Sequence, residues 1–237
     1  MAVTCLTVSR GTGAVSITVS QPGLLVATFV IFNNTVTSVT GGSLTWTQRS
    51  TNHTLNPAPL EASVWTAYAS TALGSITVTP NQSGSTEVDL FIGVSSSSQV
   101  HAVGTWVDAT STSVTGTITP GATTDYLVGI GCQGSNTTNW TAGTGYTLTA
   151  TGTGQAISTE LENAACGTTS STSLSITSSA SSFWSMLPLA INSGATITNF
   201  RPAQFCNVVL PSNPTTSDGT CDLLDSIGDT YADISWQ

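Results

Sequence analysis

The sequence predicts an all-β protein, an antiparallel two-sheet jelly-roll sandwich with a C-terminal extension. Apolar residues alternate with Ser and Thr at a period of two in most segments, as in Val15, Ile17 and Val19. Turn sequences rich in Gly, Pro and Asn, such as QPG at 21–23 and TPGA at 119–122, recur at short spacing. Roughly ten strands or more can be counted, which is typical of a jelly roll.

The alternating segments predict strands with one face in a core and one face in water. In each, hydroxyl-bearing residues separate the apolar ones, as in the pairs Ile76 with Val78, Val114 with Ile118, Tyr146 with Leu148 and Leu174 with Ile176. Four other segments are apolar on both faces, which predicts strands that are covered on both sides. They are residues 24–32, 88–94, 126–131 and 183–191.

The last of these segments, FWSMLPLAI at 183–191, predicts the closing strand of a sandwich that spans residues 1–193. Alternation places Trp184 and Met186 on the same face of this strand. Pro188 has no N–H to donate to a neighbouring strand, so the strand is expected to pair fully only before it.

Charged residues are scarce in this chain of 237 residues: they make up 6% of it, with 3 Lys or Arg against 12 Asp or Glu and a net charge of −9. No lysine is present, and Arg10, Arg49 and Arg201 are too far apart in sequence to form a basic stripe. This balance excludes binding to nucleic acid and attraction to an anionic membrane surface. The longest apolar run, residues 23–32, is too short to span a membrane.

Five cysteines are present, with no Cys-x-x-Cys pair that would predict a zinc site. Buried free thiols are expected at Cys5, Cys132 and Cys166. Cys206 and Cys221 lie together in the C-terminal extension and are a candidate disulfide, which would contribute roughly 3 kcal/mol by closing its loop.

No enzyme signature is found, so no catalytic, cofactor or metal site is expected. The glutamates are Glu61, Glu87, Glu160 and Glu162, and a solvated strand face explains the last two better than a glycosidase pair does. The sequence has no Gly-x-Ser-x-Gly, and its two histidines are isolated. The aspartates of residues 218–233 do not have the spacing of a calcium-binding EF-hand loop.

Binding to a glycan is an alternative, because an exposed tryptophan on a sandwich can stack on a sugar ring. Trp46 and Trp65 fall in well-patterned strands and are expected in the core. Trp140, in the polar loop GSNTTNWTAG, is the candidate exposed aromatic residue, although it could also cap the end of the sandwich.

The order of several strand sequences resembles a jelly-roll β-sandwich of structural proteins in tailed-phage virions. The resemblance covers roughly residues 3–193 and rests on core-packing patterns. These are LTWTQR (44–49), EASVWTAYASTALGSITVTP (61–80), VDLFIGV (88–94), DYLVGIG (125–131), TAGTGYT (141–147) and the final SSFWSMLPLAI. It implies a capsid decoration, head-fibre or tail-surface protein.

The resemblance therefore implies a non-enzymatic virion protein, most simply a decoration or cement protein on the capsid exterior. Its partners would be the major capsid protein or another virion protein and further copies of itself in a homo-oligomer. It would be made in the host cytoplasm, because the N-terminus has no pattern of a signal peptide. The alternatives are a receptor- or glycan-binding tail component and a subunit of an extracellular filament.

Residues 194–237 are predicted to be an assembly arm, partly extended and with a short helix near its end. Prolines and apolar patches favour an extended start, and apolar residues at three- and four-residue steps favour the helix. The candidate assembly contacts are Phe200, Phe205, Val208, Leu210, Leu224, Ile227, Tyr231 and Ile234. The alternative is that this segment packs on its own sandwich.

Overall fold

The computed structural model describes residues 3–55, 59–134, 139–149, 156–181, 183–194, 219–224 and 230–236. The chain divides into two units, Met1–Thr196 and Ile197–Gln237. Strands connected by turns and loops make up the first unit, and all its sheets are antiparallel. Among the described residues, no helix has the length and apolar character needed to cross a membrane.

Nine strands lie in the described residues of the first half of the sandwich unit. In chain order they are β1 (Thr4–Thr12), β2 (Val15–Val19), β3 (Gly23–Phe32), β4 (Val39–Thr40), β5 (Thr47–Gln48), β6 (His53–Leu55), β7 (Leu60–Ala69), β8 (Gly74–Pro80) and β9 (Ser85–Ile92). Six strands form inner sheet 1 in the order β1-β9-β3-β7-β5, with β6 also paired to β7. The other three form outer sheet 1 in the order β2-β8-β4.

In the second half, the part of the chain that the structure describes also contains nine strands. They are β10 (Val100–Val103), β11 (Val107–Ala109), β12 (Ser113–Ile118), β13 (Tyr126–Gln133), β14 (Trp140–Thr141), β15 (Tyr146–Leu148), β16 (Ile157–Glu162), β17 (Thr172–Ser178) and β18 (Trp184–Ile191). Inner sheet 2 has the order β10-β18-β13-β16-β15, with β11 also paired to β18. Outer sheet 2 has the order β12-β17-β14.

The two halves repeat one topology. If β10 and β11 together stand for β1, and β16 stands for β7, both the inner and the outer strand orders of the two halves coincide. Each half is a small two-sheet sandwich, with its first and last strands side by side in the inner sheet, as in a jelly roll. The predicted all-β antiparallel sandwich is confirmed, and it occurs twice.

The four sheets stack in layers through three apolar cores. The inner core lies between the two inner sheets and includes Leu24 and Phe91 from one and Ile130 and Leu187 from the other. The first outer core lies between the sheets of the first half, around Phe29. The second outer core lies between the sheets of the second half, around Trp184. Each inner sheet is therefore covered on both faces, as the apolar segments of the sequence predict.

The expected interruption of strand pairing at Pro188 is wrong. Strand β18 pairs with β13 along its whole length, and Pro188 lies opposite Gly129. On its other side β18 changes neighbour at this point, from β11 before Pro188 to β10 after it. The carbonyl of Pro188 accepts the N–H of Gly104 at 2.8 Å. The missing N–H of proline is tolerated because it falls where one neighbouring strand replaces another.

The short helix predicted near the C-terminus is also wrong. The structure has an antiparallel hairpin there, formed by β19 (Gly219–Leu224) and β20 (Thr230–Trp236). Cys221 lies opposite Ile234 in its register. Thr, Tyr, Ile and Trp favour strands, and they outweigh the three- and four-residue steps of the apolar residues.

Candidate functional site

The carboxylates of the sandwich unit are turned inward, which is the reverse of the usual distribution. Glu87, Asp89, Asp125 and Glu160 are at most 1% exposed. Of the acidic residues in the described part of 3–194, Asp108 alone has an exposed position. Glu61 and Glu162 are half-buried, so the described surface of this unit carries few carboxylates, although the whole chain has a net charge of −9.

Glu87 connects the two halves of the molecule. One carboxylate oxygen, Oε2, accepts a hydrogen bond from Nε of Arg10 at 2.6 Å. The other, Oε1, accepts hydrogen bonds from the hydroxyls of Thr149 at 2.9 Å and Thr159 at 3.0 Å. Arg10 lies on β1 of the first half, and both threonines belong to the second half. This charge-assisted network is a polar fastener across the inner core.

Asp89 follows Glu87 on the same face of β9 and is completely buried. Burial, followed by the negative charge of Glu87, raises the pKa of Asp89 well above its usual value. Burial also raises the pKa of the Cys5 and Cys132 thiols. Cys5, Cys132 and Cys166 are free cysteines, but the predicted burial is found only for Cys132, since Cys5 and Cys166 are half-buried. The raised pKa makes Cys5 and Cys132 poor nucleophiles.

Asp125 fixes the loop before β13. Its Oδ2 accepts the backbone N–H groups of Gly121 at 2.8 Å and Ala122 at 3.0 Å. Its Oδ1 lies 2.7 Å from Nδ1 of His101. These contacts use both carboxylate oxygens to hold the turn, and such use is typical of aspartate in turns.

Glu160 lies on the opposite face of β16, toward the second outer core. It fits there because Gly129 has no side chain: a Cβ atom at Gly129 would lie 2.9 Å from Cγ of Glu160. Its Oε2 accepts the N–H of Gly143 at 3.2 Å. Burial raises the pKa of Glu160 to about 7. Glu162, on the same face, accepts the N–H of Leu127 at 3.2 Å. Both glutamates bind backbone groups within the protein, which differs from the solvated strand face that the sequence suggested.

A polar cluster joins the edges of the two inner sheets. The rings of His53 and Trp106 are stacked with centroids 5.0 Å apart, and Nε2 of His53 lies 2.7 Å from Oδ1 of Asp108. The hydroxyl of Ser185 donates to the same oxygen of Asp108. A Ser–His–Asp triad needs the histidine between serine and carboxylate, whereas here the carboxylate lies between them. No local sequence pattern predicts this cluster, since 55 positions separate His53 from Asp108.

The outward faces of the two outer sheets bear hydroxyl groups. In outer sheet 1 these residues are Ser16, Thr18, Thr40, Ser75, Thr77 and Thr79. In outer sheet 2 they are Thr115, Thr117, Thr141, Ser173, Ser175 and Thr177. Some hydroxyls bond across strands, for example Thr115 to Ser175 at 3.0 Å. We call these two surfaces the hydroxyl faces.

The expected exposure of Trp140 is wrong. Trp140 is 2% exposed and belongs to the second outer core. Its ring meets that of Trp184 edge-on, with centroids 5.5 Å apart and planes at 64°. The polar residues around Trp140 predict a loop, but Trp140 lies at the inward-facing position of the two-residue strand β14. The exposed aromatic residues among those described are Phe32 and Phe183, at 64% and 41%.

Most candidate assembly contacts cannot be placed. Phe200, Phe205, Cys206, Val208, Leu210 and Ile227 lie outside the described residues. Cys221 and Leu224 belong to β19, and Tyr231 and Ile234 belong to β20, but the structure describes only the backbone of these strands. The assembly contacts and the candidate disulfide between Cys206 and Cys221 therefore stay predictions.

No group of three or more His, Cys, Asp or Glu side chains within the described ranges is arranged to hold a metal ion. Comparison of the chain with known protein families, with curated proteins and with solved structures found no match.

Proposed function

We propose that this chain is a non-enzymatic structural protein of a phage virion, bound to the capsid exterior as a decoration or cement protein. The observation that carries the proposal is the placement of charge: the buried carboxylates lie between the layers, and the two hydroxyl faces lie on the outside. The resemblance of its strand sequences to virion jelly-roll proteins supports the same role.

The physical argument concerns desolvation. Removing an unpaired charge from water is far more unfavourable than removing a hydroxyl, which keeps both a donor and an acceptor for the new surface. A protein that contacts several neighbours over broad areas therefore benefits from a surface that carries few charges. The hydroxyl faces, on the two outer layers of the stack, provide such contact areas.

The absence of catalysis is part of the proposal, and the roles of the buried acids support it. Glu87 fastens the halves together, Asp125 holds a turn, and Glu160 and Glu162 accept backbone N–H groups. Glu87, Asp125 and Glu160 are at most 1% exposed, and half-buried Glu162 is held by a backbone N–H group, so each of these carboxylates has a structural role.

The experiment counts the copies of the protein in each particle and then measures its binding to particles from which it has been removed. Mass spectrometry of purified particles should detect the protein at a fixed, high copy number per virion. Particles stripped of it should bind the full chain again, whereas a chain that ends at Ser193 should remain folded but bind poorly, because the C-terminal arm is missing. Absence from purified particles would overturn the virion role. Full binding by the shortened chain would overturn the role of the arm, and loss of its folding would favour an arm that packs on its own sandwich.

A further inference from the structure

A cavity of about 400 Å³ opens beside inner sheet 1. It is lined by β3 at Leu24, by the segment 43–49, by β7 at residues 66–68 and by Gln99. Its volume lies at the lower end of the range of roughly 300–1,000 Å³ that is typical of small-molecule sites. Hydroxyl, phenol and amide groups predominate around it, so a polar ligand of about one sugar ring would fit.

Arg49 supplies the charged group of this cavity and is held in a defined orientation. Its backbone N–H donates to the carbonyl of Val64 at 2.8 Å. Its Nε donates to the buried hydroxyl of Thr66 at 2.5 Å. None of the hydrogen bonds or ion pairs within the described ranges uses its two terminal nitrogens. The two terminal nitrogens of the Arg49 guanidinium are therefore available to bind a carboxylate.

Among the residues that the structure describes, none neutralises the charge of Arg49. No Asp or Glu is among the lining residues, whereas Arg10, the other arginine of the sandwich unit, is paired with Glu87. Burial disfavours the charged form of Arg49 and lowers its pKa. A partly buried, unpaired cation is unfavourable in the free protein, and a bound anion would relieve this cost.

The rim of the cavity has an unusual backbone. Ser43 has a φ of 54°, next to Gly42 with a φ of 62°. The turn is closed by a hydrogen bond from the N–H of Leu44 to the carbonyl of Gly41 at 3.1 Å, and Trp46 donates its ring N–H to the same carbonyl at 3.3 Å. A left-handed conformation at a non-glycine residue is strained, and such strain clusters at binding sites. The rim is thus held in a fixed shape.

We propose that this cavity binds a sugar acid, with the carboxylate of the sugar on the guanidinium of Arg49. Arginine matches a carboxylate through two parallel N–H donors. The hydroxyls of Ser43 and Thr45 and the amide of Gln99 provide donors and acceptors for ring hydroxyls, and Tyr68 provides an aromatic surface. Phosphate is disfavoured, because one arginine in a chain of net charge −9 does not balance a dianion. This inference goes beyond the structural role and does not depend on it.

The test is a titration of the full chain by calorimetry and by ¹⁵N-detected NMR. The probes are galacturonate and glucuronate as uronic acids, N-acetylneuraminate as a sialic acid, galactose as the uncharged analogue and inorganic phosphate. At least one sugar acid should bind, and the amide signals of residues 43–49 should shift. Arg49→Gln should weaken binding by about ten- to a hundredfold, and Arg49→Lys should restore only part of it. Thr117→Val, on a hydroxyl face, is the matched control that should bind normally.

Each outcome decides a part of the proposal. Binding of a uronic acid but not of sialic acid, or the reverse, identifies the source of the carboxylate. Equal binding of galactose, equal binding of phosphate, or no binding of any sugar acid at millimolar concentration overturns the proposal. If the Arg49 variants do not fold, the shifts of residues 43–49 in the unmodified protein decide it, and shifts confined to other residues overturn it.

Discussion

The two halves of the sandwich unit share a strand order but fill their cores from different strands. In the first half, Phe29 on the central strand β3 fills the first outer core. In the second half, the central strand β13 has glycines on the equivalent face. A Cβ atom at Gly131 would lie 2.7 Å from the ring of Trp140. The space beside Gly131 is therefore filled by Trp140, which lies on β14 of outer sheet 2. The comparison teaches that strand order and core composition can vary independently.

The halves also differ in the polarity of their cores. The buried hydrophobic cluster around Phe29 extends from Val15 to Leu90, whereas the corresponding space of the second half also receives the carboxyl group of Glu160. Glu87 and Asp89 lie between the halves, on the inner-core side of β9. The core of the first half is thus mostly apolar, and that of the second half contains one buried acid. Two further acids lie between the halves.

The largest expected loss of stability follows from removing a tryptophan from the second outer core. Trp184→Ala should lower the free energy of unfolding by roughly 3–5 kcal/mol, since it leaves a large void beside Trp140. Urea denaturation measures this. Phe183→Ala, one residue away and 41% exposed, is the control and should change the value by less than about 0.5 kcal/mol. Equal stability of the two variants would contradict the role of Trp184 as a core residue.

A second substitution tests whether the ring of Trp140 fills the space that the missing side chain of Gly131 leaves open. Gly131→Ala should destabilise the protein by roughly 1–3 kcal/mol, because the new methyl group would collide with Trp140. In the double variant with Trp140→Leu the two effects should be less than additive, which a double-mutant cycle of unfolding free energies would detect. Strict additivity would show that Gly131 and Trp140 do not share this space.

The buried acid of the second half predicts a pH dependence. The pKa of Glu160 is about 7 in the folded protein, against a usual value of 4.5. The neutral carboxyl group therefore stabilises the fold fully below about pH 4.5, and this contribution is lost as the pH rises to about 7. The melting temperature of the unmodified protein should fall over this interval relative to that of Glu160→Gln. Asp89 is common to both proteins, so the difference isolates Glu160, and parallel curves would contradict the prediction.

The smallest effect on stability is expected at the hydroxyl faces. Thr77→Val in the first half and Thr117→Val in the second should each change the free energy of unfolding by less than about 0.5 kcal/mol, since both side chains are exposed. If these faces contact a capsid, the same variants should bind stripped particles more weakly. A large loss of stability would instead show that the hydroxyl ladders contribute to the fold.

The alternation of apolar and polar residues predicted the strands well, because the two faces of a strand follow directly from its period. It also identified the segments at 24–32 and 126–131 that are covered on both faces, which became β3 and β13. Periodicity does not say which sheet covers which face. The division into two sandwiches was therefore not visible, and Gly131 with Trp140 gave no sign of occupying one space.

The site residues were less predictable for the same reason. The link between Glu87 and Thr159 joins positions 72 residues apart, and no local pattern marks it. The exposure predicted for Trp140 is wrong because the polar residues around it do not determine where its own side chain points. Its side chain is 2% exposed. Arg49 was noted for its isolation from other arginines, but the cavity around it depends on segments that only the fold brings together.

The order of the halves along the chain has a consequence for synthesis on the ribosome. Strand β9 ends at Ile92 and β10 begins at Val100, so the first half is complete before the second has emerged. Until then, the apolar face that later forms the inner core is open to water and could associate with other nascent chains. Glu87 and Asp89 lie on that face, and their polar carboxyl groups oppose such association while it is hydrated. Glu87 thus has two successive roles: it keeps the open face polar before the halves dock, and it links the two halves by hydrogen bonds afterwards.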